Sequence, residues 1–384
     1  MAAKPPLFPL KTKIRHFEHS EKTKFKQTRC VKISERRANS PLNMPIKYFF
    51  FATFAPHIAK MDFNQVIKKT FQGELQLFEK YLHEAVANED PRISKAVNHI
   101  LKTRGKYLRP ILVFLSAKVC GDITPKTYFG AVAVELLHTA SLVHDDVIDE
   151  SAMRRGRPSV NAIFCNTYAV LIGDYLLSIA ALEGVKMEDL EIINMIVGLS
   201  KSLAEGEINQ FVVANEMIID EEEYFNVIDK KTASLMRACT IIGAKTAGAD
   251  KDIVDQFSLL GQSLGIAFQI KDDIFDYFSD DIGKPIGNDI REGKVTLPLI
   301  YALQNAPKHE AKQIFELIEA RDFTIENVKK ILDFAKNNGG IEYAYRKIDE
   351  QIALAENITK ATIADEEKRE LMRQLLRYLR DRRY

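Results

Sequence analysis

Two clusters of aspartates carry the clearest chemical signal in the sequence. Both have the spacing D-D-x-x-D, and together they comprise Asp145, Asp146, Asp149, Asp272, Asp273 and Asp276. In a helix the first and last aspartates of a cluster share one face, and negative charge at a helix C-terminus opposes the helix dipole. One such cluster could still be a solvated helix end, but two copies indicate carboxylates that face each other across a cleft. Mg²⁺ suits such a site because it takes one or two carboxylates together with phosphate oxygens.

Basic residues lie near both clusters in the sequence. They are Lys106 and Arg109 in GKYLRP, Arg154 and Arg155 after the first cluster, and Lys284 and Lys294 after the second. Each alone would be read as a solvated charge, but their position beside the acidic clusters predicts a clamp for a diphosphate. Lys231 and Thr232, in DKKTASLM, form a weaker candidate that a surface helix would explain equally well.

Other metal and redox chemistries find little support in the sequence. After residue 100 the only histidines are His138, His144 and His309, so a phosphohydrolase built on His144 and Asp145 would lack ligands. The chain has 4 cysteines without C-x-x-C spacing, which suggests neither a zinc site nor a disulfide framework. A reducing compartment is therefore expected.

The elements that must position these residues are long helices. Apolar residues recur every three to four positions from Met61 onward, and alternating strand patterns are scarce. We predict one large all-α bundle, with several short helices after Thr296. The longer predicted helices cover Asp62–Val86, Pro91–Lys102, Pro110–Val119, Lys126–Asp149, Val160–Gly184, Glu188–Ala214, Glu221–Ala247 and Lys251–Phe278.

Residues 1–60 differ from the rest of the chain in charge. They hold 13 Lys or Arg against 3 Glu, so this segment carries a net charge of +10 and the remaining chain −9. We predict a disordered basic extension before a domain at 61–384. The extension is either sequence upstream of the true start, an organelle transit segment, or a tail for nucleic acid or a membrane surface. Its apolar stretch is too short to span a membrane, and no integral membrane segment is predicted.

Taken together, the motifs resemble those of the trans-polyprenyl diphosphate synthases, most closely the long-chain type such as octaprenyl diphosphate synthase. The resemblance covers roughly 85% of the chain, from Met61 to Tyr384. It depends on the segments GKYLRP, ELLHTASLVHDDVIDESAMRRGRPSVN, DKKTASLM and AFQIKDDIFDYFSDDIGKPIGNDIREGKVTLPLIYAL. It implies the isoprenoid synthase fold, which is a single all-α bundle around a central apolar cavity, and a homodimer. It also implies a cytoplasmic enzyme, or an organellar one if the first 60 residues are a transit segment.

The resemblance also implies roles for individual residues. The diphosphate of isopentenyl diphosphate would be held by Lys106, Arg109, His138 and Arg155. Three Mg²⁺, or Mn²⁺, would grip the allylic diphosphate through Asp145, Asp149 and Asp272, with supporting ligands Asp146, Asp273 and Asp276. The allylic site would be completed by Arg154, Lys231, Thr232, Gln269, Lys284 and Lys294. The catalytic residues would be Asp145, Asp149, Asp272 and Lys231.

The implied reaction is head-to-tail chain elongation. The allylic diphosphate leaves, isopentenyl diphosphate attacks the allylic cation, and loss of a proton gives a product one C5 unit longer. Because water would quench the cation, we expect the loop from Glu150 to Ser159 to close over the site. No nucleic-acid partner is expected, while peripheral membrane contact could assist product release.

Two small residues just before the first acidic cluster bear on product length. Ala140 and Ser141 stand where short-chain relatives commonly place a bulky aromatic, so a long product of about C30 to C50, for quinone side chains, is expected. Close helix packing would explain small residues equally well, which leaves a short-chain enzyme of C15 to C20 as an alternative. A terpene cyclase and a non-catalytic partner subunit remain as further alternatives, but the two intact acidic clusters disfavour both.

Overall fold

A computed structural model describes residues 69–102, 105–278 and 286–382, and almost all regular structure among them is helical. The predicted all-α fold is confirmed. The first part of the chain forms α1 Gln72–Ala85, α2 Pro91–Lys102, α3 Leu108–Cys120, α4 Pro125–Ile148, the strands β1 Met153–Arg154 and β2 Arg157–Pro158, α5 Val160–Ile163, α6 Asn166–Val185 and α7 Leu190–Asn215.

The second part continues in the same manner. It forms α8 Glu221–Ile228, a π-helical turn Asp229–Ala233, α9 Ser234–Thr246, α10 Lys251–Phe275, α11 Asn288–Arg291, α12 Leu297–Asn305, α13 Lys308–Glu319, α14 Ile325–Asn337, α15 Gly340–Thr362 and α16 Glu366–Asp381.

The helices α4 and α10 form the centre of the bundle, and each ends in one of the acidic clusters. α4 begins with Pro125 after a capping box between Thr124 and Thr127, and it packs mainly against α6. α10 begins after Asp250, whose side chain accepts from the backbone N–H of Ile253, and it packs against α9 and α15. Long buried stretches of both helices fix their C-terminal ends in place.

A short β-hairpin follows the first acidic cluster. Met153 lies opposite Pro158 and Arg154 opposite Arg157, and the turn residues Arg155 and Gly156 both have positive φ. Positive φ at both central residues is the geometry of a type I′ turn, which matches the twist of a hairpin. The predicted lid loop is therefore an ordered hairpin that presents two adjacent arginines.

Several predicted helix boundaries were wrong. The predicted helix Val160–Gly184 breaks between α5 and α6, where Cys165 has a φ of 132°. The predicted helix Glu221–Ala247 is interrupted by the π turn, and the one from Lys251 ends at Phe275 rather than Phe278. The helix Pro91–Lys102 was predicted correctly, and the start of the predicted helix Asp62–Val86 lies outside the described residues.

Residues 59–384 group into one unit by their contacts. The prediction of a disordered extension at 1–60 lies outside the described residues and stays a prediction.

Within the described part of the chain, α6 alone is long and apolar enough to cross a membrane, by length and composition only. It carries Asp174 and Glu183, and 39% of its most apolar stretch is buried against the rest of the protein.

Candidate active site

The middle aspartate of the first cluster is held inside the protein. Asp146 is 3% exposed, and the Arg154 guanidinium donates to its carboxylate Oδ1, with the Nε contact at 2.8 Å. Asn161 also donates from its side-chain amide to the backbone carbonyl of Asp146, at 3.2 Å. Asp146 and Arg154, predicted respectively as a metal ligand and a diphosphate ligand, thus pair with each other and tie the hairpin to the end of α4.

The outer aspartates of the first cluster are more exposed than Asp146, since Asp145 is half-buried and Asp149 is exposed. Burial raises the pKa of Asp145 to about 6, with Lys231 opposing the rise, and Glu207 and Asp149 adding to it. Burial also raises the pKa of Asp149, while Lys294 opposes that rise. The two carboxylates lie one turn apart at the end of α4, so the site concentrates negative charge that a bound cation would stabilise.

The middle aspartate of the second cluster is also held inside the protein. Asp273 is 5% exposed, and its two carboxylate oxygens accept from the Tyr224 hydroxyl at 2.6 Å and from the Gln269 amide at 2.8 Å. Burial raises the pKa of Asp273 to about 6 despite these two hydrogen bonds. The middle aspartate is again an anchor, here between α10 and α8.

The outer aspartates of the second cluster differ from each other. The carboxylate of Asp276 accepts from the backbone N–H groups of Asn288 and Asp289, at 2.9 and 3.2 Å, and so holds the start of α11. The Asp272 side chain is 40% exposed, and its Oδ1 lies 2.6 Å from an Arg382 guanidinium nitrogen. Asp272 is therefore more exposed than Asp273, and its carboxylate is paired with Arg382.

The π turn brings the predicted residues Lys231 and Thr232 to the ends of both central helices. Lys231 Nζ lies 2.5 Å from Glu207 Oε2 and 3.3 Å from Gln210 Oε1, both on α7. Thr232 donates its hydroxyl to Gln269 Oε1 on α10, at 2.6 Å. Since Lys231 also influences the pKa of Asp145, this turn links the two acidic clusters.

Two glycines allow the π turn to fit between α7 and α10. A methyl group added at Gly206 would lie 2.9 Å from the backbone nitrogen of Lys231, and one added at Gly265 would lie 2.4 Å from Ala233 Cα. Neither contact is sterically acceptable, so both positions require glycine. A π turn inserts one extra residue into a helix, and such turns often occur at functional sites.

A second group of predicted residues gathers at the start of α3. The guanidinium Nε of Arg109 is buried and makes no hydrogen bond within the described residues. The Arg155 guanidinium lies against the same segment, since a methyl group added at Gly105 would be 2.7 Å from it. Burial and the charge of Arg155 both lower the pKa of Arg109. Burial, together with the charges of Arg109 and Arg155, holds the pKa of His138 well below its usual range, so this imidazole is neutral at pH 7. Lys106, at the same segment, is exposed.

Lys294 faces the first cluster from the segment after α11. Its Nζ lies 2.6 Å from Glu292 Oε2. Burial opposes its charge, but the hydrogen bond to Glu292 and the charges of Glu292 and Asp149 outweigh this effect and raise its pKa. Lys284 lies outside the described residues.

Ala140 and Ser141 occupy different environments. Ala140 is completely buried in the core, whereas Ser141 is half-buried and donates its hydroxyl to the His138 carbonyl at 2.9 Å. One cleft at the site is lined by Thr139, Asp146 and Arg155, among others, and a second by Lys231, Gln269 and Lys294, among others; neither includes Ala140 or Ser141.

Sequence reasoning missed the partners of the predicted residues. Glu207, Tyr224 and Arg382 each contact a predicted site residue directly, as does Glu292. Another residue that was missed is Glu135, a buried acid whose negative charge opposes the lowering of the Arg109 pKa by burial. Apart from Glu292, they lie far in sequence from the predicted residues that they affect, so local spacing carries no signal for them.

Comparison with known proteins supports one family. A family model described as polyprenyl synthetase matches residues 90–335. The all-trans-nonaprenyl-diphosphate synthase (geranyl-diphosphate specific) of Rhodobacter capsulatus is 33% identical over 76% of this chain and 90% of its own length. A crystal structure of a polyprenyl synthase from Caulobacter crescentus, complexed with calcium and isoprenyl diphosphate, is 27% identical with a TM-score of 0.78, over 84% of this chain and 98% of that one. A geranylgeranyl pyrophosphate synthase structure from Bacteroides thetaiotaomicron is 39% identical with a TM-score of 0.73, over 84% of this chain and all of that one.

Proposed function

We propose that this chain, a member of the polyprenyl synthetase family, adds isopentenyl diphosphate to an allylic diphosphate to make a long all-trans polyprenyl diphosphate. The family assignment confirms the predicted family and the prediction of a prenyltransferase enzyme. One observation carries this proposal. The two acidic clusters end α4 and α10, a single π turn links them, and in each cluster the middle carboxylate is anchored inside the protein while an outer one is more exposed.

The open carboxylates suit hard divalent cations. Asp145, Asp149 and Asp272 offer oxygen ligands only, and burial already penalises the charges of the first two. Among the described residues no three His, Cys, Asp or Glu side chains stand close enough to hold an ion by themselves. Diphosphate oxygens would complete the coordination, as Mg²⁺ sites commonly require. We propose three Mg²⁺ per site, with Mn²⁺ as a substitute.

We propose that Arg109, His138, Arg155 and Lys106 bind the diphosphate of isopentenyl diphosphate. The buried Nε of Arg109 lacks an acceptor in the described part of the chain, and an unpaired buried donor is costly unless a ligand satisfies it. The neutral His138 supplies an N–H donor without adding charge. A guanidinium and a neutral donor together match the forked geometry of phosphate oxygens.

We propose that the allylic diphosphate lies across the two acidic clusters. Lys231, Thr232, Gln269 and Lys294 line the cleft beside Asp273, and Lys284 belongs to this set by its place in the sequence. Arg154 acts indirectly in this arrangement, because its guanidinium holds Asp146 and thereby positions the hairpin. When bound, Mg²⁺ would stabilise the charge that develops on the departing diphosphate.

The chain's own residues then orient the two substrates. Lys231 and Lys294 supply positive charge on the allylic side, and Arg109 and Arg155 supply it on the homoallylic side, so the two diphosphates are fixed while the double bond approaches the allylic carbon. We propose that the hairpin at residues 153–158, which lines one of the two clefts, covers the bound substrates and excludes water from the allylic cation. The departed diphosphate accepts the proton lost in the last step.

We propose a long product, supported by two observations. Ala140 and Ser141, about one turn before Asp145, are both small, and the nonaprenyl synthase of Rhodobacter capsulatus shares 33% identity with this chain. Positions from Tyr175 to Ile179 on α6 are candidates for the floor of the tail cavity. A quinone side chain is a plausible destination for such a product.

We propose that the enzyme acts as a homodimer through α6 and α7. Both helices carry large apolar side chains that are exposed in a single chain, among them Leu171 at 59%, Leu182 at 57%, Ile208 at 62% and Phe211 at 67%. A second copy covers such a face by two-fold symmetry. Sedimentation of the purified protein as a dimer is expected.

We also propose a cytoplasmic enzyme, or an organellar one if residues 1–60 are a transit segment.

The decisive assay combines purified protein, Mg²⁺, farnesyl or geranylgeranyl diphosphate and labelled isopentenyl diphosphate, followed by sizing of the products. Asp145→Ala and Asp272→Ala should each lower kcat at least ~100-fold, as expected for removal of a transition-state stabiliser. Asp255→Ala, at an exposed position on α10, is the control and should leave kcat unchanged. A lack of Mg²⁺-dependent incorporation by the unmodified protein would point to a non-catalytic partner subunit instead.

A further inference from the structure

The end of the chain reaches into the second acidic cluster. After α16 ends at Asp381, Arg382 places a guanidinium nitrogen 2.6 Å from Asp272 Oδ1 and 2.7 Å from the backbone carbonyl of Phe268. The guanidinium carbon lies 3.9 Å from the centre of the Phe268 ring and 5.3 Å from that of Phe275. Arg382 thus binds one outer carboxylate of the site from the far end of the sequence.

The contacts of Arg382 are those of a built site rather than of a surface ion pair. Its side chain is only 7% exposed, and its Nε is buried without a hydrogen bond to any described residue. Stacking on Phe268 and the bond to its carbonyl would persist without Asp272, so these contacts anchor the guanidinium independently. The carboxylate oxygen that Arg382 occupies is, however, one that a bound cation would need.

We propose that Arg382 is a latch on the second acidic cluster, because its guanidinium neutralises the Asp272 carboxylate before substrate binds. A divalent cation must then either displace the guanidinium or bind the same carboxylate despite repulsion by it. This inference rests on the proposed role of Asp272 as a metal ligand. A guanidinium and a divalent cation that compete for one carboxylate repel each other as like charges. Arg382 therefore sets the cation concentration at which the second cluster fills.

The test measures the binding of Mn²⁺ in the presence of inorganic pyrophosphate. Binding is monitored by the loss of the electron paramagnetic resonance signal of free Mn²⁺, and no turnover takes place. Removal of one positive charge about 5 Å from a divalent ion should tighten binding about tenfold, so Arg382→Gln should lower the Mn²⁺ dissociation constant by this factor. Arg382→Lys keeps the charge and should stay within about threefold of the unmodified protein.

The control is Arg377→Gln, which removes the same charge from an exposed position on α16, where the guanidinium pairs with Glu370. It should leave Mn²⁺ binding unchanged. Unchanged or weaker binding in Arg382→Gln overturns the latch. Asp272→Asn separates the two proposals: if it leaves Mn²⁺ binding unaltered, the metal role of Asp272 fails; if it weakens binding while Arg382→Gln changes nothing, only the latch fails.

Discussion

Replacement of Gly206 by alanine should damage the site without removing any polar group from it. The added methyl group would lie 2.9 Å from the backbone nitrogen of Lys231 and 3.1 Å from Lys230 Cβ. Ordinary contacts of this kind need about 3.4 Å or more, so the π turn and α7 must separate by roughly half an ångström. The backbone that carries Lys231 then moves relative to Glu207 and Gln210, the partners that position its ammonium group.

The magnitude follows from the size of this displacement. Overpacking of a buried contact costs roughly 1–3 kcal/mol of stability, and a misplacement of about 1 Å can cost about 100-fold in rate. A shift of half that size should lower kcat about tenfold while most of the protein remains folded. The measurement is kcat at saturating substrates, with thermal unfolding recorded on the same sample so that loss of folded protein is not mistaken for loss of turnover.

The same helix provides a matched control. Gly198 is also on α7, and a methyl group added there would meet nothing within 4 Å. Since glycine inside a helix is about 1 kcal/mol less favourable than alanine, Gly198→Ala should stabilise the protein slightly and leave kcat unchanged. If Gly206→Ala retains full turnover, the fit of the π turn does not govern the position of Lys231. If both variants lose activity equally, the effect belongs to α7 as a whole.

Two further predictions concern pH and product length. Because burial raises the pKa of Asp145 to about 6, the ionised carboxylate destabilises the metal-free fold near pH 7. Asp145→Asn should therefore raise the free energy of unfolding by about 1–3 kcal/mol at pH 7, and this gain should fade as the pH falls through 6 towards 4, as measured by denaturant unfolding at both pH values. An equal gain at both pH values would contradict the burial of charge as its cause. Ala140→Phe or Ser141→Phe should shorten the product by blocking the path of the tail, and unchanged chain lengths in reversed-phase chromatography would refute the role of these positions.

Much of the fold and part of the site could be predicted because they depend on local patterns. The 3.6-residue period places the outer aspartates of each cluster on one face of α4 and α10, and Pro91–Lys102 is bounded by residues that commonly start and end helices. The π turn could not be predicted, because DKKTASLM contains neither glycine nor proline and reads as a continuous helix. The close packing that this turn needs depends on Gly206 and Gly265, which are remote in sequence and meet the turn only after folding.

The partners of the site residues could not be predicted either, because they are remote in sequence and meet the site only after folding. Tyr224 reaches Asp273 across 49 residues, and Arg382 reaches Asp272 from the far end of the chain. A tyrosine or an arginine at such positions fits a surface helix equally well until the tertiary packing is known. Local spacing therefore identified which residue types could bind a diphosphate, but not which of them were already paired within the protein.

The spacing D-D-x-x-D itself explains why one aspartate of each cluster is an anchor. The first and last positions are four residues apart and share a helix face, whereas the middle one points about 100° away and into the protein. Asp146 therefore meets Arg154 of the hairpin, and Asp273 meets Tyr224 of α8. Each anchor joins a helix end to an element that carries other site residues. With Asp276 also bound to backbone N–H groups, three carboxylates remain as the proposed metal ligands, Asp145, Asp149 and Asp272, and Arg382 restrains the third.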